Sequence, residues 1–209
     1  MKFFLVFAAL VAFAYSQQNT RCLTTPDKWH GYFREVDYER QRFRLAEMDY
    51  DATNKQIHIM EYERDENAHR RDIFQEWFYF TTHEGYREEY PSKRCLEATI
   101  PSNLTFRPIG VLDGARFLGR EWIGAEITGL GLEVDQFMAE RGDERDRGYY
   151  HASFVPAAPQ SGADKVCIPV LESYVNLNGP FPDRHNVHYE FFNISTAIPS
   201  NAFTHCTPS

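Results

Sequence analysis

The side chains able to do chemistry are few in this chain and stand far apart. No GxSxG, HExxH or glycine-rich phosphate loop occurs, so an activated serine, a hydrolytic zinc and a nucleotide cradle all lack their local signatures. Of eight histidines, only His185 and His188 are close in sequence. In an extended stretch that odd spacing points two side chains to opposite faces, so a metal pair is not predicted there. The acidic neighbours Glu88-Glu89 and Asp143-Glu144 are adjacent rather than convergent and read as solvated charge. With no nucleophile and base set together, a non-enzymatic protein without a resident cofactor is predicted. Arg141-Gly142-Asp143, within the charge-dense run Ala139 to Gly148, has the form of an integrin-type adhesion motif. A run so rich in Arg, Gly and Asp also produces that tripeptide by composition alone.

The cysteines are more informative once the compartment is considered. Met1-Lys2 precedes an apolar run from Phe3 to Ala14, and Ala14 and Ser16 supply small residues for a cleavage site. This pattern predicts a signal peptide over residues 1–16 and a secreted mature domain over 17–209. The run is far short of the roughly 20 apolar residues that cross a bilayer, and no later stretch approaches that length, so no transmembrane segment is expected. Cys22, Cys95, Cys167 and Cys206 lie far apart with no CxxC spacing, which argues for two disulfides and against zinc. Four cysteines leave three connectivities open. The sequons Asn103-Leu104-Thr105 and Asn193-Ile194-Ser195 suit the same compartment as glycosylation sites.

The elements that must position these residues read as strands. Arg42 to Ala46 alternates polar and apolar, Asp51-Ala52-Thr53-Asn54 breaks the run, and Gln56-Ile57-His58-Ile59 resumes it, which is a hairpin signature. Ile73 to Thr82 follows, with Trp77-Phe78-Tyr79-Phe80 apolar on both faces, as in the centre of a layered β structure. His83-Glu84-Gly85 turns the chain into Tyr86–Tyr90. Further strands are expected near 121–127, 132–138, 149–155, 166–176 and 186–194, with loops over the charge run 139–148 and over Pro156 to Lys165. Helical periodicity is weak after the signal peptide. The length of 209 residues suits one domain, and the class is all-β, a sandwich or an incomplete barrel. A net charge of −8 leaves no basic face for a phosphate backbone, so nucleic acid is excluded as a partner. The aromatic share of 15% leaves two readings open: a Phe-rich core, or a cavity for a hydrophobic ligand.

An ordered set of local patterns resembles the ependymins and ependymin-related proteins. It comprises Cys22 with Pro26 and Trp29-x-Gly31, Asp49-Tyr50-Asp51 before Gln56-Ile57-His58-Ile59, and Trp77-Phe78-Tyr79-Phe80 leading to Gly85. Lys93-Arg94-Cys95 before Ile100-Pro101, Val134-x-x-Phe137, Cys167-Ile168-Pro169-Val170, Phe191-Phe192-Asn193-Ile194 and Pro199-Ser200-x-x-Phe203 before Cys206 complete it. The resemblance implies a secreted glycoprotein of two curved antiparallel sheets around a hydrophobic pocket, similar to bacterial lipoprotein carriers, often dimeric and linked with calcium. It implies Cys22–Cys167 and Cys95–Cys206 bridges. This chain lacks a third bridge that six-cysteine members have, carries Phe137 where relatives often have Trp, and has a more charged 139–148 segment.

On that basis the expected function is binding of a lipid or other hydrophobic molecule. Leu45, Ile57, Ile59, Phe78, Phe80 and Phe191 are the candidate lining residues. Alternation puts Ile57 with Ile59, and Phe78 with Phe80, on common faces. The alternative is an acidic extracellular-matrix or biomineral-associated protein with calcium-dependent association or a cell-surface contact. No EF-hand loop or compact oxygen cage for calcium is present in the sequence.

Overall fold

The computed structural model describes residues 22, 24–64, 70–125, 130–141, 148–157, 166–176 and 186–208. The segment predicted to be a signal peptide, Gly142-Asp143 of the adhesion-type tripeptide, and His185 lie outside the described residues. The described chain is all-β. Eleven strands follow in order: β1 (Lys28–Asp37), β2 (Arg42–Asp51), β3 (Gln56–Arg64), β4 (Arg70–Tyr79), β5 (Glu84–Glu89), β6 (Arg94–Thr99), β7 (Arg116–Gly124), β8 (Gly131–Arg141), β9 (Gly148–Ala157), β10 (Val166–Asn176) and β11 (Asn186–Ser195).

They form one antiparallel sheet in the order β6-β5-β4-β3-β2-β1-β11-β10-β9-β8-β7. Two meanders, β1–β6 and β7–β11, are joined at the centre, where β1 pairs with β11 from His30↔Ser195 to Asp37↔Val187. The two curved sheets expected from the resemblance are thus hydrogen-bonded into a single one, and it is not closed into a barrel.

Register sorts the side chains. Across β1, β2, β3 and β4 the partners Trp29↔Tyr50, Tyr50↔Ile57 and Ile57↔Phe78 stand on one face, and across β11 that face continues through Phe33↔Phe191. On β1 every second residue from Trp29 to Asp37 is buried, so this is the inner face. The sheet must curl around it. Four ladder steps separate β2 from β9, about 19 Å in a flat sheet. Yet Tyr50 OH accepts from the Ile109 N–H at 3.1 Å while Tyr150 OH donates to the carbonyl of the adjacent Gly110 at 2.7 Å.

Where the chain departs from expectation, pairing overrides composition. Ala139, Glu140 and Arg141 extend β8 into the charge run because they pair with Tyr150, Tyr149 and Gly148. Pro156 and Ala157 likewise belong to β9, opposite Cys167 and Val166. β7 starts at Arg116 rather than Glu121, with an irregularity between Phe117 and Gly119 where Gly119 takes φ +155°. β4 ends at Tyr79, and His83 closes the next turn at φ 58°.

Cys22 is bonded to Cys167 and Cys95 to Cys206, the pairing that the resemblance implies. Two disulfides accord with an oxidising, extracellular type of compartment.

Candidate functional site

Two segments without regular structure cross the sheet, one on each face, and each defines a candidate site. Residues 100–115 link the two edge strands and pass over the inner face. Residues 196–208 run from β11 at the centre to the β6 edge over the outer face.

The inner site is built around β1. Trp29 is fully buried, stacks on Tyr50 with ring centroids 5.3 Å apart, and meets Phe191 edge-on at 5.9 Å. Tyr50 stacks on Phe106 of the crossing segment at 5.7 Å, and Phe106 meets Phe80 at 5.4 Å. Beneath this group lies Gly31, where a Cβ would stand 2.8 Å from Ile194 Cδ1 and push that side chain aside. Ile194 is turned inward by a shift of register between His30 and Tyr32, beside Asn193 at φ 55°. Buried side chains on this face fall into two groups. One gathers Trp29, Phe33, Ala46, Met48, Tyr50 and Phe191, with Ile57, Ile59, Phe106 and Ile109 against them. The other gathers Cys22, Phe137, Tyr150, Ala152, Phe154 and Cys167, with Val111 and Leu112 against them. The crossing segment bridges the two. It is pinned through Ile109 and Gly110 by the two tyrosine hydroxyls and by Thr25 Oγ1, which donates to the Ile109 carbonyl at 3.0 Å. Burial pushes the Tyr50 hydroxyl up to about 12, so it stays protonated throughout the neutral range. The Trp29 indole N–H is buried and has no hydrogen-bond partner among the described residues.

Further along the same face the lining turns polar. Arg44 lies over the Phe33 and Phe74 rings, pairs with Glu61, and has Glu76 at 3.5 Å and Glu35 at 3.9 Å. The Tyr189 hydroxyl is raised by burial and then by Glu35.

Of the predicted lining residues, Ile57, Ile59 and Phe191 belong to the Trp29 group, and Phe78 and Phe80 touch each other at 6.4 Å and reach it through Phe106. Leu45 does not belong with them. Its partners Arg34 and Tyr62 place it on the outer face, since alternation within β2 gives the inner face to Ala46 and Met48. Trp29, Tyr50, Phe106 and Ile109 were not predicted. Trp29 and Tyr50 follow from extending alternation into the neighbouring strands, whereas Phe106 and Ile109 lie in irregular chain that carries no periodic signal.

The outer site is a cleft of about 360 Å³ between β2–β5 and the C-terminal segment. Its floor carries Asp49 and His58, both buried, with Gln75, Trp77 and Glu88. His30 Nδ1 and His58 Nδ1 lie 2.9 and 2.8 Å from the two oxygens of Asp49. The roof is fixed at several points. Trp77 Nε1 donates to the Ala202 carbonyl at 3.0 Å, Tyr79 OH donates to the Phe203 carbonyl at 2.8 Å, and His205 stacks on Tyr86 at 3.7 Å. The Cys95–Cys206 bridge holds the end. These histidines and carboxylates sit singly in separate strands, so no motif marked them; only register brings them together.

A serine and a base do meet on the outer face: Ser173 Oγ lies 2.7 Å from His188 Nδ1, and His188 Nε2 lies 4.0 Å from Glu190. Ser173 and His188 are direct cross-strand partners in the middle of the sheet. The backbone N–H groups beside them are committed to the ladders with β9 and β11, which leaves no donor pair there to hold an oxyanion. Burial, and then His188, lowers the nearby His151. Among the described residues no three His, Cys, Asp or Glu side chains converge to hold a metal ion. Both sequon asparagines, Asn103 and Asn193, are exposed.

No family model and no curated protein matches this chain. Among solved structures it is similar to an uncharacterized conserved protein from Thermus thermophilus. The TM-score is 0.42 at 10% identity, over 93% of this chain and 91% of that one.

Proposed function

We propose that this chain is a secreted glycoprotein that binds a hydrophobic ligand, of the lipid class, against the inner face of its sheet and beneath residues 100–115. The observation that carries this reading is the division of the inner face. A domain of this size ordinarily forms one contiguous core. Here two buried groups share a concave face and are bridged by a single segment that hydrogen bonds, and no covalent tie of its own, hold in place. Displacing that segment exposes Trp29, Tyr50, Ile57, Ile59 and Phe191 together, a lining of apolar side chains with two polar tips, the composition of a small-molecule site. Apolar burial at roughly 25 cal/mol per Å² drives such binding before the costs of ordering are subtracted. Asn103 lies in the crossing segment, with its side chain open to solvent for a glycan.

Native mass spectrometry of protein purified from a eukaryotic secretory host, followed by organic extraction, tests the reading. The expected result is a stoichiometric lipid, and saturable uptake of a fluorescent fatty-acyl probe by stripped protein. Protein that is lipid-free, and remains so after incubation with mixed lipids, refutes it and makes the aromatic residues a plain core.

A further inference from the structure

The hydrogen bonds around His58 can be assigned donor by donor from the acceptors that surround it. Gln75 Nε2 lies 3.3 Å from Glu88 Oε1 and 3.0 Å from the Tyr90 hydroxyl. A carboxylate only accepts, so the amide nitrogen of Gln75 must face it, and the amide oxygen faces His58 Nε2 at 3.2 Å. An amide oxygen also only accepts, so Nε2 of His58 carries a proton. Nδ1 of the same ring faces the Asp49 carboxylate at 2.8 Å and must carry one too. We infer that His58 is an imidazolium in this fold, and that its protonation latches the C-terminal segment over the outer cleft.

The surrounding groups agree with that charge. From β2, buried Asp49 faces the ring, and its other oxygen meets His30 of β1. Glu47 of β2 also lines the cleft, with its charge taken by Arg70 of β4 at 2.7 Å. Glu88 of β5 is paired with Lys93 of the following turn at 2.9 Å. From the C-terminal segment comes His205, stacked on Tyr86. Among the described residues the side chains that meet the Asp49 carboxylate are His30 and His58, and an imidazolium at His58 gives it a countercharge.

The link to the C-terminal segment is Trp77. Its ring stacks on His58 at 5.0 Å and 12°, a cation against the face of an indole, and its N–H holds the Ala202 carbonyl. Neutral His58 keeps a single N–H. Either the Asp49 oxygen that faces it or the Gln75 oxygen then loses its donor, and an amide flip to compensate would set the Gln75 oxygen against Glu88. The ring also loses its charge over Trp77. The cleft is therefore closed at the acidic end of the imidazole range and loosens at the alkaline end.

Ring ¹⁵N shifts test the assignment directly on the intact chain: His58 should give the signature of two protonated nitrogens at about pH 6, and a neutral tautomer there overturns the inference. Backbone hydrogen exchange tests the latch. After correction for intrinsic rates, the Ala202 and Thr204 amides should exchange about tenfold faster at about pH 8 than at about pH 5. His58→Phe should flatten that dependence while His205→Asn preserves it. A pH-independent wild type, or a dependence that follows His205, overturns the latch. If His58→Phe fails to fold, the ring shifts of the wild-type protein still decide.

Discussion

The two segments that cross the sheet are held by different physics. Residues 100–115 lie on the inner face and bring Phe106, Ile109, Val111 and Leu112 to apolar partners; burial and three side-chain hydrogen bonds hold them. Residues 196–208 lie on the outer face, over histidines and carboxylates, and bury little beyond Ala202. There an indole, a phenol, a ring stack and a disulfide do what apolar area does on the other side. Here the segment over apolar surface is held without a covalent bond of its own, and the one over polar surface ends in a disulfide. This is the reason to place an exchangeable ligand on the inner face.

The largest expected effect comes from cutting the tether. Replacing Cys95 and Cys206 with alanine together opens a loop of 111 residues and should cost about 4 kcal/mol in urea unfolding. Exchange should rise in the C-terminal segment before the crossing segment responds. Equal loosening of both segments would break the comparison.

A smaller loss is expected on the inner face. Phe106→Ala removes the ring that joins Tyr50 to Phe80 and should cost about 2 kcal/mol. The outer segment should keep its exchange protection, and uptake of the acyl probe should change. A variant that destabilises but leaves uptake and its kinetics untouched would show that the crossing segment is only core.

The smallest effect concerns a turn that belongs to neither segment and so serves as a reference. Asp51 closes the β2–β3 turn, accepting from the Asn54 N–H at 3.0 Å and pairing with Lys28 at 2.9 Å. Burial alone would raise its carboxyl, but the bonds from Lys28 and Asn54 outweigh burial and hold it below the usual range. A depressed carboxyl stabilises the fold above its unfolded value, and that contribution is lost as pH falls through the lower folded value. Asp51→Asn should therefore cost about 1 kcal/mol at neutral pH. The gap to wild type in thermal unfolding should close as the pH drops below about 4. A gap that is constant with pH would assign the loss to packing.

Much of the fold was legible in the chain. The 42–46 and 56–59 alternation and its Asp51–Asn54 break gave the β2–β3 hairpin, and 166–176 was read with the bounds it has in the structure. Edges were harder. β6 has little apolar content, and the charged end of β8 looks like loop, because ladder hydrogen bonds are made by backbone and do not depend on side-chain polarity. For the inner face, period two correctly grouped Ile57 with Ile59 and Phe78 with Phe80. It could not relate one strand to another, and Leu45 was therefore assigned to the wrong face.

By itself, then, the sequence determined the all-β class, the even set of distant cysteines, and the pairs of side chains that share a face within each strand. These follow from local alternation and from composition, which any stretch of chain carries on its own. Tertiary structure decided how β1 meets β11, and through that register which alternating face turns inward. It also decided that Asp49, His58 and Gln75 converge, and where the irregular segments 100–115 and 196–208 cross. Contacts between residues far apart in the chain depend on pairing and on the curl of the whole sheet, and no local pattern records either.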